Sequence, residues 1–532
     1  AVANAVRSTL GPKGMDKLIV DSIGDVTITN DGATILKEID VQHPAAKMLI
    51  EAAKTQDKEV GDGTTTVAIF TGELLKKAEE LLSLNVHPTV IVRGYSQASE
   101  KAVEIIKSIS TKISDTDREI LEQIAKTAIT GKLAESPDSK IAKYAVDLVL
   151  SVAETINGKR IVDLDKANVE KKTGESTQDS EMIEGVVIDK EIVHSNMPRK
   201  IENARIALLS APIEAKDTET KAEYKITSSS QFKLFMEHEK QAVRAITDKV
   251  IACGANVVFC QKGIDDMAQH YLAEAGILAL RRVIKSDLDK LSKATGANIV
   301  TSLDELTSAD LGTAAIVEEK RIGNGILTFV TGTKNKAVSL LLRGGTQQVV
   351  DNLERGLDDA MHSVADVVED GRIVAGGGAS EIEVALKLRE FASKLKGREQ
   401  LAILKFADAI EIIPKTLAEN AGFNSIDKLV ELKRKHEKRG KTAGLNAFTG
   451  QIEDMYKLGI VDPMRVKVQA ILSATDAASL ILRIDDVLAS TKKKEEMGEG
   501  GLPQGMPGMG MGGMGMGGMP PGMGGMGMPG MF

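Results

Sequence analysis

Helical patterning at both ends of the chain, with a β-rich stretch between them, constrains the fold more than any single motif. Pro44 and Pro88 sit where a first helical turn tolerates proline, and they open helices over His43–Val60 and Pro88–Ser110. Ser136-Pro137 opens another, running to about Asn157. From Lys159 to about Arg343 the apolar runs shorten and become β-branched. Val257–Cys260, Ile277–Val283 and Asn298–Val300 read as strands, separated by helical Asp265–Ala275 and Asp287–Thr295. That alternation predicts a βαβ core with parallel strands. Helical character returns after Gly345 and continues to about Ser490. A middle domain inserted into a helical domain built from both chain ends explains the order economically.

At 532 residues the chain exceeds what one hydrophobic core serves, so two to four domains are expected. The formal charge of −8 argues against nucleic-acid binding as the main role, and Lys433-Arg434-Lys435 reads as a solvated helix end. Cys253 and Cys260 lack surrounding ligands at metal spacing and read as buried free thiols, consistent with a reducing compartment. The sequence contains neither a signal peptide nor a long apolar run, so a soluble, cytoplasmic protein without membrane partners is expected. The start at Ala1, already inside an amphipathic pattern, suggests an upstream piece. Lys492–Glu496 and the Gly/Met/Pro repeats to Phe532 predict a disordered tail, either a plain flexible end or an adaptable apolar surface.

Gly61-Asp62-Gly63-Thr64-Thr65-Thr66 stands directly ahead of a strong helical pattern. Two glycines let the backbone wrap an anion, three threonines supply hydroxyls, and Asp62 can hold a hard cation; a plain helix cap is the simpler reading. The sequence has neither a P-loop nor a dinucleotide fingerprint. Thr9, Leu10, Gly11, Pro12, Lys13 and Gly14 form a rigid turn or a loop that approaches a ligand. Val26 and Ile28 alternate with polar residues before Asn30-Asp31-Gly32, which reads as the tight turn of a hairpin. Gly376-Gly377-Gly378 joins strand-like Ile373–Ala375 to a helix at Ser380, where Ser380 and Glu383 fit a capping box. Three glycines exceed a cap's needs and suit close approach of a flat ligand. Asp358-Asp359 on a helical stretch are either solvated acids or, for Asp359, a group that orients water. Asp462 is either a helix cap or an acceptor for a sugar hydroxyl.

Taken together, Leu10–Gly14, Asn30–Gly32, Gly61–Thr66, Gly376–Gly378 and Val461-Asp462-Pro463 resemble, in order and spacing, a group II chaperonin subunit of the archaeal thermosome type. The likeness covers essentially the whole chain. It implies a mainly helical equatorial ATPase domain from both ends (1–116 and 377–491), a hinge domain (117–186 and 340–376) and an α/β apical domain (187–339). A helical lid protrusion would span about 216–249, and 492–532 would be the tail. It also implies ATP and Mg²⁺ as ligands, with Asp62 on the metal and Gly63, Thr64, Thr65 and Thr66 on phosphate. Thr9, Leu10, Gly11 and Pro12 would cover the nucleotide, and Gly377 and Asp462 would contact base and ribose. Asp31 and Lys132 would flank the γ-phosphate, and Asp359 would activate the attacking water. Phe232, Leu234, Phe235 and Met236 match lid or substrate contacts, with packing inside the protrusion as the alternative. The partners implied are unfolded polypeptides and other copies or paralogues in a double ring. Ring size, clients and dependence on K⁺ stay open. A passive ring subunit with an inactive site and a metabolic enzyme built on the βαβ unit are the competing classes.

Overall fold

The computed structural model describes residues 1–486 except 21–23, 25, 40, 115–116, 132–139, 215–228, 324, 336 and 439; within 229–235 it describes the backbone alone. The chain divides into a compact unit, Ala1–Ile484, and a second, Asp485–Phe532, nearly all of it outside the described residues.

Both ends of the first unit share one interior. Val67, Phe70 and Leu74 of helix Thr64–Ser83 and Tyr95 and Ile106 of helix Pro88–Ile109 pack with Phe406, Val384 and Ile471 from the other end of the sequence. Aromatics make up only 3% of the chain, and three of them meet here. Phe70 and Tyr95 both stand edge-on to Phe406, with centroids 5.3 and 5.7 Å away. Tyr95 spends its hydroxyl on the Leu74 carbonyl at 2.9 Å, so the buried ring leaves no polar group unpaired. Truncating Phe406 to alanine would cost about 3–5 kcal/mol.

A second interior joins helices Arg118–Ile129 and Ile141–Val152 to Leu340 and Leu342 and to Leu353, Leu357 and Val364 of helix Gln347–Asp370. The middle of the chain forms a nine-stranded sheet among the described residues. Strands Lys200–Leu209, Val257–Cys260 and Leu278–Leu280 run parallel, and Ile299–Val300 also pairs parallel with the first. Helices Asp266–Glu274 and Lys285–Thr295 connect them, as the alternation predicts. Val257 and Phe259 face one buried layer while Val258 and Cys260 face the other, the period-two burial of a sheet covered on both sides. Cys253 and Cys260 are buried free thiols.

Two local expectations are corrected. A hairpin does form between Lys17–Val20 and Val26–Thr29, but its turn precedes Val26. Asn30-Asp31-Gly32 instead starts helix Gly32–Glu38, with Asp31 as its N-cap. The predicted helix from Ser136 begins at Ile141 among the described residues, and Ala153–Ile156 already pairs with Lys159–Val162. Of the expected protrusion, Ser229–Ala252 is helical. Phe232, Leu234 and Phe235 fall in that helix, but their side chains lie outside the described residues; Met236 is 36% exposed.

Candidate nucleotide site

One cavity of about 360 Å³ gathers residues from widely separated stretches of sequence, a volume suited to a small-molecule ligand. Thr9–Pro12, Asp31, Asp62–Thr66, Asp359, Gly377 and Asp462 all line it. Lys132 lies outside the described residues, although its neighbours Thr130 and Gly131 are on the wall.

The Gly61–Gly63 corner is shaped by backbone sterics. Gly61 ends helix Pro44–Val60 at φ 62, and Gly63 opens helix Thr64–Ser83 at φ 82. Both values fall in the left-handed region that glycine adopts without a side-chain clash. Gly63 provides no side-chain cap, so the first-turn amides and the positive end of the dipole remain for an anion at Thr64–Thr66. Asp62 Oδ1 accepts from the Gly63 N–H at 2.6 Å, and buried Gln56 donates to the Asp62 carbonyl at 2.8 Å. The corner is therefore braced from behind.

Asp31 accepts from Ala33 N–H at 3.2 Å and Thr34 N–H at 2.8 Å while its residue lines the cavity. Gly32 lies against Thr65, whose Oγ1 would be 2.4 Å from any added Cβ, so the Asp31 helix docks onto the Gly61–Thr66 corner. Asp359, from helix Gln347–Asp370, shares with Asp31 a narrow crevice that Arg355 and Asn352 also line.

The Leu10–Gly14 loop is held by Asn420, whose Nδ2 donates to the Arg7 and Leu10 carbonyls at 3.0 and 2.8 Å. Lys13 Nζ lies over the Phe423 and Phe448 rings, 5.6 and 5.9 Å from their centroids. The Thr9 hydroxyl donates to the Val6 carbonyl at 2.8 Å. The Leu445 N–H donates to the Gly377 carbonyl at 2.8 Å, and Ile413, Leu417, Leu445 and Phe448 add apolar lining to the cavity.

The capping box at Ser380 does not form. The helix begins at Ala379 with Gly378 as N-cap, Ser380 Oγ donates to Glu381 Oε2 at 2.9 Å, and Glu383 pairs with buried His436 at 2.9 Å. Asp462 is likewise no cap: Pro463 takes that position, and Asp462 Oδ2 stands 2.9 Å from Lys467 Nζ.

Lys467 is the main residue that the sequence reading misses. Its ammonium also lies 2.9 Å from Glu381. Burial opposes its charge, but the two carboxylates outweigh burial and hold its pKa above the ordinary lysine value. For Glu381, too, burial opposes ionisation, and Lys467 reverses the balance to a lowered pKa. Burial pushes Asp462 up against the pull of Lys467, though a fifth of its side chain stays open to the cavity. A cation in the first turn of a helix runs against the dipole and is the one local hint of a nearby acid.

Among the described residues there is no group of three His, Cys, Asp or Glu that could hold a metal by protein ligands alone. A single carboxylate such as Asp62 beside a helix N-terminus fits Mg²⁺, which takes one or two carboxylates together with substrate phosphates and water.

With this geometry in place, the comparisons decide the family. The model of the TCP-1/cpn60 chaperonin family matches residues 2–492. The chain belongs to the TCP-1/cpn60 chaperonin family. Among chaperonin relatives, thermosome subunit beta of Archaeoglobus fulgidus is 56% identical over 507 residues, spanning 94% of this chain and 93% of its own. A thermosome subunit of Pyrococcus horikoshii is 56% identical over 502 residues, spanning 94% and 91%. An open-state monomer of a group II chaperonin from Methanococcoides burtonii superposes with a TM-score of 0.60 at 51% identity, covering 80% of this chain and all of that one. The chaperonin fold thus agrees with the helical, mixed, helical order read from the sequence.

Proposed function

We propose that this chaperonin subunit binds and hydrolyses Mg-ATP, and that the cycle drives enclosure and folding of unfolded polypeptides within a double ring of such subunits. The observation that carries the reading is the convergence of Asp31, Asp62–Thr66 and Asp359 on a single cavity. Asp62 would hold a magnesium ion, whose contribution when bound would be to neutralise phosphate charge. The Thr64–Thr66 amides and hydroxyls hold the phosphates, and Thr9–Pro12 cover them. Asp359 accepts a hydrogen bond from the attacking water, aims its oxygen at the γ-phosphorus and, as base, takes the proton that the water gives up. The new P–O bond forms as the bond to the β–γ bridging oxygen breaks, leaving ADP and phosphate. Asp31 stands beside the γ-phosphate, with Lys132 as its expected cationic counterpart. Gly377 admits the base, and Asp462 accepts a ribose hydroxyl.

Loss of the γ-phosphate contacts then biases a hinged two-state element. The division of labour follows the boundaries given above, with 1–116 and 377–491 as the ATPase domain, 117–186 and 340–376 as the hinge, and 187–339 as the apical domain. Met236 and its helix are candidates for lid or client contact. The same reading has the protein working in the cytoplasm; among the described residues no helix is long and apolar enough to cross a membrane. ATP-dependent refolding of a denatured client, lost together with phosphate release in Asp359→Ala, tests the proposal. Refolding that proceeds equally without ATP contradicts it.

A further inference from the structure

The first turn after the glycine triplet carries a buried charge for which hydrolysis has no use. Glu381 is 5% exposed, and both its oxygens are engaged, one by Ser380 Oγ and the other by Lys467 Nζ, each at 2.9 Å. The same ammonium stands 2.9 Å from Asp462. Side-chain exposure falls from 21% at Asp462 through 16% at Lys467 to 6% at Glu381, so the row runs from the cavity into the interior. Asp462 and Lys467 line the cavity, whereas Glu381 lines a water-sized void behind it.

A buried lysine needs one counter-charge, and Asp462 alone would supply it. The second carboxylate is surplus to pairing and leaves the row with one net negative charge. That excess is felt at Asp462, the one carboxylate of the row that lines the cavity. Without Glu381, Asp462 would be the sole counter-charge of Lys467, the two would form a neutral pair, and Asp462 would become a weaker acceptor. With it, the ammonium is shared. We infer that Glu381 is a positioning residue for the sugar of the nucleotide, sharing Lys467 so that Asp462 stays fixed and keeps an oxygen for a ribose hydroxyl. The inference rests on the nucleotide reading of the cavity and assigns it a device for choosing ribose over deoxyribose.

The test uses the full chain and compares ATP with 2′-deoxy-ATP and 3′-deoxy-ATP in steady-state turnover, with ADP affinity measured by calorimetry. Wild type should prefer ATP over at least one deoxy analogue. Glu381→Gln should raise KM for ATP and Kd for ADP by roughly tenfold, the scale of one charge-assisted hydrogen bond, with kcat little changed. It should also erase the preference for ribose. Glu381→Asp, which keeps the charge, should restore much of that preference, and it stands in if Glu381→Gln does not fold. Wild-type constants in Glu381→Gln with only a lower Tm would make Glu381 merely structural and overturn the inference. An equal loss for ATP and both analogues would overturn it too. If wild type binds ADP and these outcomes fail, the inference alone falls; if wild type binds no adenine nucleotide, the reading of the cavity falls with it.

Discussion

Gly61 lies flush against the ring of His362: a Cβ at Gly61 would stand 2.2 Å from His362 Cγ. This contact seats the corner that carries Asp62 on the helix that carries Asp359. Residues nearly three hundred positions apart in sequence thereby face one cavity.

Gly61→Ala should disturb that seating twice. A left-handed backbone at a non-glycine residue costs about 1–3 kcal/mol, and the methyl group drives against an imidazole. Thermal melting should fall by several degrees, and Mg-ATP affinity should fall with it. Gly61→Ala combined with His362→Ala should recover the steric part only. Unchanged affinity in the single variant would mean that the corner does not set the site.

Asp359→Ala and Asp62→Ala should fail differently. Without its water-orienting carboxylate, turnover should drop at least roughly hundredfold while ATP still binds. Without the metal ligand, affinity itself should fall, and its dependence on Mg²⁺ should weaken. Equilibrium binding and single-turnover phosphate release separate the two. Normal hydrolysis by Asp359→Ala would remove the proposed base.

Gln56 is fully buried and braces the corner by donating to the carbonyls of Asp62 and Val466, at 2.8 and 3.3 Å. Gln56→Leu fills the same space but strands both acceptors, at a cost of about 1–3 kcal/mol. The variant should melt at lower temperature and bind Mg-ATP more weakly. Full retention of both properties would show that the brace is idle.

Asp366 gives a pH dependence with a definite sign. Burial, only partly offset by Arg465 at 3.3 Å, pushes its carboxyl up to about 8. The unfolded chain loses this proton near pH 4, whereas the folded chain keeps it until near pH 8. The stability associated with Asp366 is therefore full below about pH 4 and declines as pH rises toward 8. Asp366→Asn should match wild type near pH 4 and exceed it in Tm at pH 8, since Arg465 keeps Glu369 at 2.7 Å. A variant less stable than wild type at pH 8 would show that Asp366 is ionised and paired.

Much of the site was legible because backbone geometry restricts residue choice. The Gly-Asp-Gly-Thr run announces a helix start, which lines the cavity, and Gly377 of the glycine triplet lines it too. Asn30-Asp31-Gly32 misled because an Asx turn and an N-cap use the same bond, an aspartate oxygen accepting from the amide two residues on. Only the apolar spacing of Ala33, Ile35 and Leu36 favours the helix. Ser380 and Glu383 misled for another reason: Glu383 is drawn away to distant His436, and Ser380 donates to its neighbour Glu381, which Lys467 holds in place. Such charge pairing is set by tertiary contact, and no periodicity encodes it.

The most direct measurement is a cryo-EM structure of the chain with Mg-ADP and a beryllium fluoride phosphate mimic. The account predicts density for the metal on Asp62, the fluoride group between Asp31 and Asp359, and the sugar against Asp462. Nucleotide bound elsewhere, with these three carboxylates touching only water, would contradict it.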